Sequence, residues 1–522
     1  MARKPPRYRT IAVVALALPL LALGGMAEGK KPSHPVPWTG TVPKAHCGPN
    51  DRVEGALQGQ TTLAERLSGD SERGYNCNLQ LVGQFQGEGS WWQMAWFRHC
   101  AYYGTTDYHQ GQQHLGVVVV DASDPRNPQA STYLDNSRPM LNPHESLKVN
   151  TRRRLLGATG NGPDYLNPNA HSFAFYDVSN CAHPKLLSQL KVPEVVGHAG
   201  DFARDGRTYY GTTVGVGWTA IDISDPRHPK KILRWVAPGG IGAPHDMSIS
   251  KDGTRMYVAQ PGNFVPFGLS GPDGLVILDV SDIQYRRPNP QPRVISKLFW
   301  NDGGTAQQTI PVTIKGRPHL IFTDETGPGA LPGFAASRAE ACARGLSPFG
   351  FARIIDISHE RNPKIIAKLK LQVDDPSNCD RVLGDFPPDT AEMESYGYSS
   401  HYCGVDKTEN PKLLACGYLG AGLRVFDIRD PYHPKEIAYY KPPARRTAFL
   451  PGSAMWFDYS GPQALVPRLT NGDRTTDRVQ TQIRFLKRHG ATYLWFNSQD
   501  NGFQILRFTN GVLKHKGSPR GS

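Results

Sequence analysis

The stretch VVVVDASDPRNP, residues 117–128, decides the architecture. Four β-branched residues form a buried strand, Asp121 ends it, and a Ser-Asp-Pro turn sends the chain back. The same order returns in FAFYDVSNCAHP (173–184), TAIDISDPRHP (219–229), LVILDVSDIQYRRP (275–288), RIIDISHERNP (353–363) and LRVFDIRDPYHP (423–434). Copies at this spacing are too far apart for a coiled coil and mark propeller or solenoid units. A second strand follows each turn, as at 185–192, 230–236 and 364–371, and a hairpin such as MSISKDGTRMYVA (247–259) precedes the copied strand. Four antiparallel strands per copy make a propeller blade.

Counting hairpins gives seven blades, because 92–104 opens the first and 482–507 supplies the seventh. The seventh ends at GFQILR (502–507), which lacks the Asp and the proline turn, so its outer strand is missing. The segment NLQLVGQF (78–85) is an outer strand without an inner one. The prediction is an all-β, seven-bladed β-propeller of four-stranded antiparallel blades, with the last blade closed by this N-terminal strand, leaving no open sheet edge. The six recurrent acids, Asp121, Asp177, Asp222, Asp279, Asp356 and Asp427, read as structural caps of their turns rather than as catalytic groups.

The copied strand and its DVSDP-like turn resemble the LVIVD-repeat family of exported bacterial β-propeller proteins over about residues 78–507. That family is defined by its repeat, so the resemblance implies the fold and carries no common reaction.

Outside the repeats, Arg3, Lys4, Arg7 and Arg9 precede an apolar run from Ile11 to Leu23 that is short for a bilayer span. Residues 1–27 read as a secretory signal, which leaves no stable membrane anchor after cleavage. Residues 28–77 read as a proline-bearing arm with one short helix near 61–67, residues 78–510 as the propeller, and 511–522 as a basic tail. Loss of the signal removes four cations and no acid, taking the net charge from +13 to +9. The remaining cations are scattered without a basic stripe, which argues against a nucleic-acid partner. Eight cysteines suit an oxidising compartment, periplasmic or secreted, and Cys403 with Cys416 flank a turn symmetrically enough to bridge a hairpin.

The turns inside hairpins are short, whereas the connections 105–114, 161–169, 261–272, 325–348, 373–399 and 441–477 are long and leave from one face. The first strand of each blade begins on that face beside the axis. Counting eight positions back from the turn glycine lands on His198 (from Gly206), His245 (from Gly253), Gln308 (from Gly316) and Gln482 (from Gly490). The less regular hairpins give His144, His401 and Trp91. Imidazoles gathered at one level suit a divalent transition metal such as Cu, Fe, Zn or Mn, with Glu145, Asp201 and Asp246 near enough to orient them. The same ring of His and Gln also suits a water-filled polar channel. Two function classes follow. One is a propeller that binds a small molecule or peptide on its long-loop face, with His144, His198, His245 and His401 holding a metal for oxidation or hydrolysis and Glu145 or Asp246 as base. In it Trp91, Gln308 and Gln482 face the ligand. The other is a non-catalytic scaffold contacting a protein or a cell-envelope polymer.

Overall fold

The computed structural model describes residues 35–55, 57–90, 92–105, 114–160, 172–193, 197–265, 268–328, 335–385, 397–445 and 476–514. The chain divides into a short unit, Met1–Val36, and a body, Pro37–Ser522, and the fold below is that of the body. Seven antiparallel sheets form a ring. From the axis outward, blade I is Met94–Phe97, Cys100–Gly104, Val117–Asp121 and Gln129–Leu134. The inner strands of blades II to VII are Lys148–Asn150, Gly200–Phe202, Met247–Ile249, Gly304–Ile314, Cys403–Val405 and Arg484–Arg488.

Blade VII closes the ring. Its outer strand is Leu79–Phe85, paired antiparallel with Gly502–Phe508 from the other end of the sequence. That strand is equivalent to the outer strands of the other blades, because all seven carry a bulge at the same place. The skipped residues are Ser131, Leu187, Ile232, Ile295, Ile366, Ile437 and, in the N-terminal strand, Val82. A bulge bends a strand and increases its twist, which propeller blades need at their rim. Beside it the outer strand touches the next blade's turn: Ser131 Oγ donates to the Ala182 carbonyl at 2.9 Å and Ser188 Oγ to the Pro226 carbonyl at 2.6 Å. At the closure Gly83 takes this place, and a Cβ there would lie 2.2 Å from the Pro125 carbonyl oxygen.

Among the described residues, hydrophobic clusters fill all seven interfaces between neighbouring blades, and a further one joins the arm to blade VI. Met94 and Tyr103 of blade I meet Trp495 and Phe503 of blade VII, so the last interface is as apolar as the others. The six recurrent Asp side chains each accept a hydrogen bond from the backbone N–H two residues on, at 2.7–3.1 Å, so their role is to cap turns. All eight cysteines are paired: Cys47–Cys77, Cys100–Cys181 between blades I and II, Cys342–Cys379, and Cys403–Cys416 across the inner hairpin of blade VI. Four disulfides suit an oxidising compartment. No helix among the described residues is long and apolar enough to cross a membrane.

The arm is more integrated than a leading segment. Its helix, Leu63–Ser68, starts at a capping box between Thr62 and Glu65. Tyr75–Cys77 then adds a fifth strand to blade VI, pairing with Lys441 to Tyr439. Charge holds the arm as well as strand pairing. Arg424 binds Glu54 at 2.6 Å and Glu436 at 3.1 Å, and Lys441 Nζ donates to the Gly59 and Gln60 carbonyls. All four of these charged side chains are buried.

Two outcomes follow. Replacing Gly83→Val forces backbone to move at the closure and is expected to cost about 1–3 kcal/mol in denaturant unfolding, the usual range for overpacking. Leu81→Ala on the same strand, at a 37% exposed site, should cost much less. The second outcome concerns pH. Burial, opposed by Glu54 and reinforced by Arg424, lowers the Lys441 pKa to about 8. Between pH 8 and the ordinary lysine value the unfolded chain binds the extra proton, so stability rises with pH across that window. Lys441→Met should flatten the rise in a pH series of unfolding midpoints.

Candidate metal centre

Three imidazoles occupy the same rung of their blades. The backbone N–H groups of His198, His245 and His401 donate to the Thr212, Ala259 and Gly417 carbonyls, each on the second strand of its own blade, at 2.7–3.0 Å. Each residue sits two positions before its inner strand, where the chain arrives from the long-connection face. His144 reaches the group differently. It precedes the inner strand of blade II with a positive φ of 46°, a region that a residue with a side chain rarely adopts, and its ring lies 4.2 Å from that of His198. The His198 and His245 rings are 4.7 Å apart.

Glu145 stands in the middle of these rings. Its backbone N–H donates to the His198 carbonyl at 3.0 Å, which stitches blade II to blade III and turns the carboxylate toward the axis. Oε2 lies 3.1 Å from His198 Nε2 and 3.6 Å from His245 Nε2, and Oε1 lies 3.4 Å from His401 Nε2. A second carboxylate, Glu325, places Oε1 3.2 Å from His401 Nε2 and Oε2 3.9 Å from His245 Nδ1. Glu145, Glu325, His245 and His401 are buried, while His144 and His198 keep partial exposure and form the accessible side.

The electrostatics favour positive charge at this point. Burial pushes the Glu145 carboxyl up, but His198, His401 and His245 outweigh it and hold it well below the usual carboxylate range. Burial and the neighbouring His198 push His144 well below the usual imidazole value, and burial also lowers His245, so both are neutral donors near pH 7. For His401, burial acts downward and the two glutamates act upward, and the glutamates win, raising the pKa to about 10.

Tautomers sharpen this. His245 Nδ1 lies 3.1 Å from the Ala306 carbonyl and His401 Nδ1 2.6 Å from the Gln480 carbonyl. A carbonyl only accepts, so each Nδ1 carries a proton, and in the neutral ring each Nε2 is a lone pair. Both lone pairs face carboxylate oxygen. His198 Nε2, His401 Nε2 and Glu145 Oε2 are buried atoms without an aligned hydrogen bond. A bare nitrogen opposed to a buried carboxylate calls for a cation between them, either a metal ion or a proton on His401. The donors form two overlapping sets, His144, Glu145, His198 and Glu145, Glu325, His401, with ligand atoms within 4.8 Å of one another in each.

The structure distributes the remaining sequence candidates over other places. Asp246 follows His245 on the strand and so points away from the rings, into a layer below with Lys148 Nζ at 3.8 Å and the Tyr402 hydroxyl at 3.4 Å. Burial raises Asp246 to about 7 and Asp201 to about 6. Gln308 is held by the Cys403 N–H, whereas Gln307 donates to Glu145 Oε1 at 2.9 Å. The cause is a bulge between Ala306 and Gln308, which inserts one residue into the register. Gln482 is half-buried, and Gln480, two residues earlier, is the one that touches His401. Trp91 lies outside the described residues, as does much of the long connections; its neighbour Trp92 packs 5.5 Å from the His401 ring. Glu325 and Gln307 escape the hairpin count. The acidic pair Asp324-Glu325 near the end of the HLIFTDET strand is the available signal for Glu325. Below the layer, a cavity of about 1200 Å³ on the short-turn face is lined by Asp201, Asp252, Lys251 and Thr313 and contains none of the four imidazoles.

No family model and no curated protein matches the chain. Among solved structures it is similar to a chain of Kuenenia stuttgartiensis hydrazine synthase, at 13% identity and a TM-score of 0.44, covering 82% of this chain and 96% of that one. A likeness this distant adds nothing to the reading of the site, which rests on its own geometry.

Gln307 orients Glu145 from outside the donor set. If the axial cluster holds a metal ion, replacing Gln307→Ala should weaken Zn2+ binding by about 10–100-fold in calorimetric titration, the usual effect of removing a partner of a metal ligand. Gln308→Ala should leave the affinity near that of the parent.

Proposed function

We propose that this chain is an exported β-propeller that holds a divalent transition metal on its axis and uses it on a small molecule or peptide bound at the long-connection face. The observation that carries this reading is the convergence of the His245 and His401 Nε2 atoms on the Glu145 and Glu325 carboxylates. One divalent ion balances the two carboxylates, and the imidazole and carboxylate donors suit Fe, Mn, Zn or Cu. With every cysteine in a disulfide, thiolate does not compete.

The chain's own groups have defined parts. His198, His245 and His401 would hold the ion with Glu145, Gln307 fixes that carboxylate, and the Ala306 and Gln480 carbonyls fix two imidazole tautomers. His144 and His198 form the side open to a substrate. A divalent ion bound there polarises a substrate oxygen or acidifies a bound water, chemistry that serves hydrolysis or oxidation. Asp246, turned away from the rings and held by Tyr402 and Lys148, would serve only as a proton acceptor in the layer beneath them. The exported setting rests on the leader-like residues 1–27 and on the disulfides, and membership of the LVIVD-repeat family is part of the same proposal.

One observation favours a second reading. Protonated His401, with its pKa near 10, closes the cluster without metal by pairing with both glutamates, as expected for a non-catalytic scaffold with a polar axial plug. Elemental analysis of the purified mature protein separates the two. The metal reading predicts stoichiometric Fe, Mn, Zn or Cu that a His198→Ala, His245→Ala double variant loses while keeping its β-sheet circular dichroism. Metal-free parent protein that also fails to take up added Zn2+ would leave the scaffold standing.

A further inference from the structure

The axial cluster holds more donors than one ion uses. Glu145 presents its two oxygens in different directions, Oε2 to His198 at 3.1 Å and Oε1 to His401 at 3.4 Å, with Gln307 holding Oε1 at 2.9 Å. Each direction meets a complete set. On one side stand His144 and His198, and on the other Glu325 and His401, each within 4.8 Å of the Glu145 ligand atom used. A single ion held by His198, His245, His401 and Glu145 leaves the His144 imidazole and the Glu325 carboxylate unused. We infer that the centre binds two divalent cations, bridged by the Glu145 carboxylate, with His144 and His198 completing one site and Glu325 and His401 the other.

One further fact agrees. His144 keeps a positive φ of 46°, and its ring lies 4.2 Å from that of His198. Strain of this kind persists where the surroundings impose it, commonly at binding sites.

This inference rests on the metal reading above, and its test separates the two. The full mature protein is stripped with chelator, reloaded with Mn2+ alone, freed of excess ion, and analysed for manganese per chain and by electron paramagnetic resonance of the frozen sample. Two manganese per chain with a spin-coupled spectrum is the expected result. His144→Ala should then hold one manganese and give an uncoupled six-line spectrum. One manganese per chain with six uncoupled lines in the parent overturns the dinuclear centre and leaves the mononuclear one in place. No retained manganese, with Zn2+ equally unbound, overturns both. The parent measurements decide the matter even where His144→Ala fails to fold.

Discussion

Ring closure is the constraint on which the rest depends. A four-stranded sheet twists, and seven of them can share an axis only when the last interface is as complete as the other six. Pairing Leu79–Phe85 with Gly502–Phe508 achieves this, and the bulge at Val82 gives the borrowed strand the shape of its six counterparts. Closure then fixes a common level for every inner strand. His198, His245 and His401 come from three different blades, yet their N–H groups make equivalent bonds to neighbouring strands, so their side chains meet. In an open superhelix the same residues would stand on successive steps and would share nothing.

The fold was legible because each blade repeats a turn whose chemistry is local. Asp binding the N–H two residues on, followed by proline, needs no distant partner, and it recurs with the copied strand. The imidazoles were legible for a related reason. A hairpin has a fixed register, so a count from its turn reaches a fixed height on the axis. The same count fails wherever register changes. One inserted residue between Ala306 and Gln308 moves the contact to Gln307, and in blade VII the residue touching His401 is Gln480 rather than Gln482. Glu325 lies at the end of a second strand, and a count along first strands never reaches it. Asp246 shows the alternation of strand side chains: one position after His245, it belongs to the layer beneath.

The arm also follows from closure, though only three-dimensional contacts show it. Tyr75–Cys77 covers the outer edge of blade VI, and Cys47–Cys77 ties the strand to the residues that precede it. An exposed outer strand is a template for association, and covering it with chain already anchored at blade VII protects that edge. The sequence reveals little of this, because a three-residue strand has no periodicity to read.

Three buried charge clusters in this molecule are built on two plans. Beneath the arm, Glu54 and Glu436 face Arg424 and Lys441, two acids against two bases, with spare protons donated to the Gly59 and Gln60 carbonyls. In blade V, Arg353 is likewise met by Asp302 and Asp324, with Lys368 on Asp302. These clusters carry their own counter-charges, as buried structural ion pairs must. On the axis the plan is different. Glu145 and Glu325 face imidazoles whose Nδ1 protons are committed to carbonyls on the far side, so that each Nε2 meets carboxylate oxygen through a metal ion or, on His401, a proton. A chain that completes its buried charges with arginine and lysine in two places supplies only imidazoles in the third, where a metal ion can replace the His401 proton, and that asymmetry is the physical basis for assigning chemistry to the axis of this propeller.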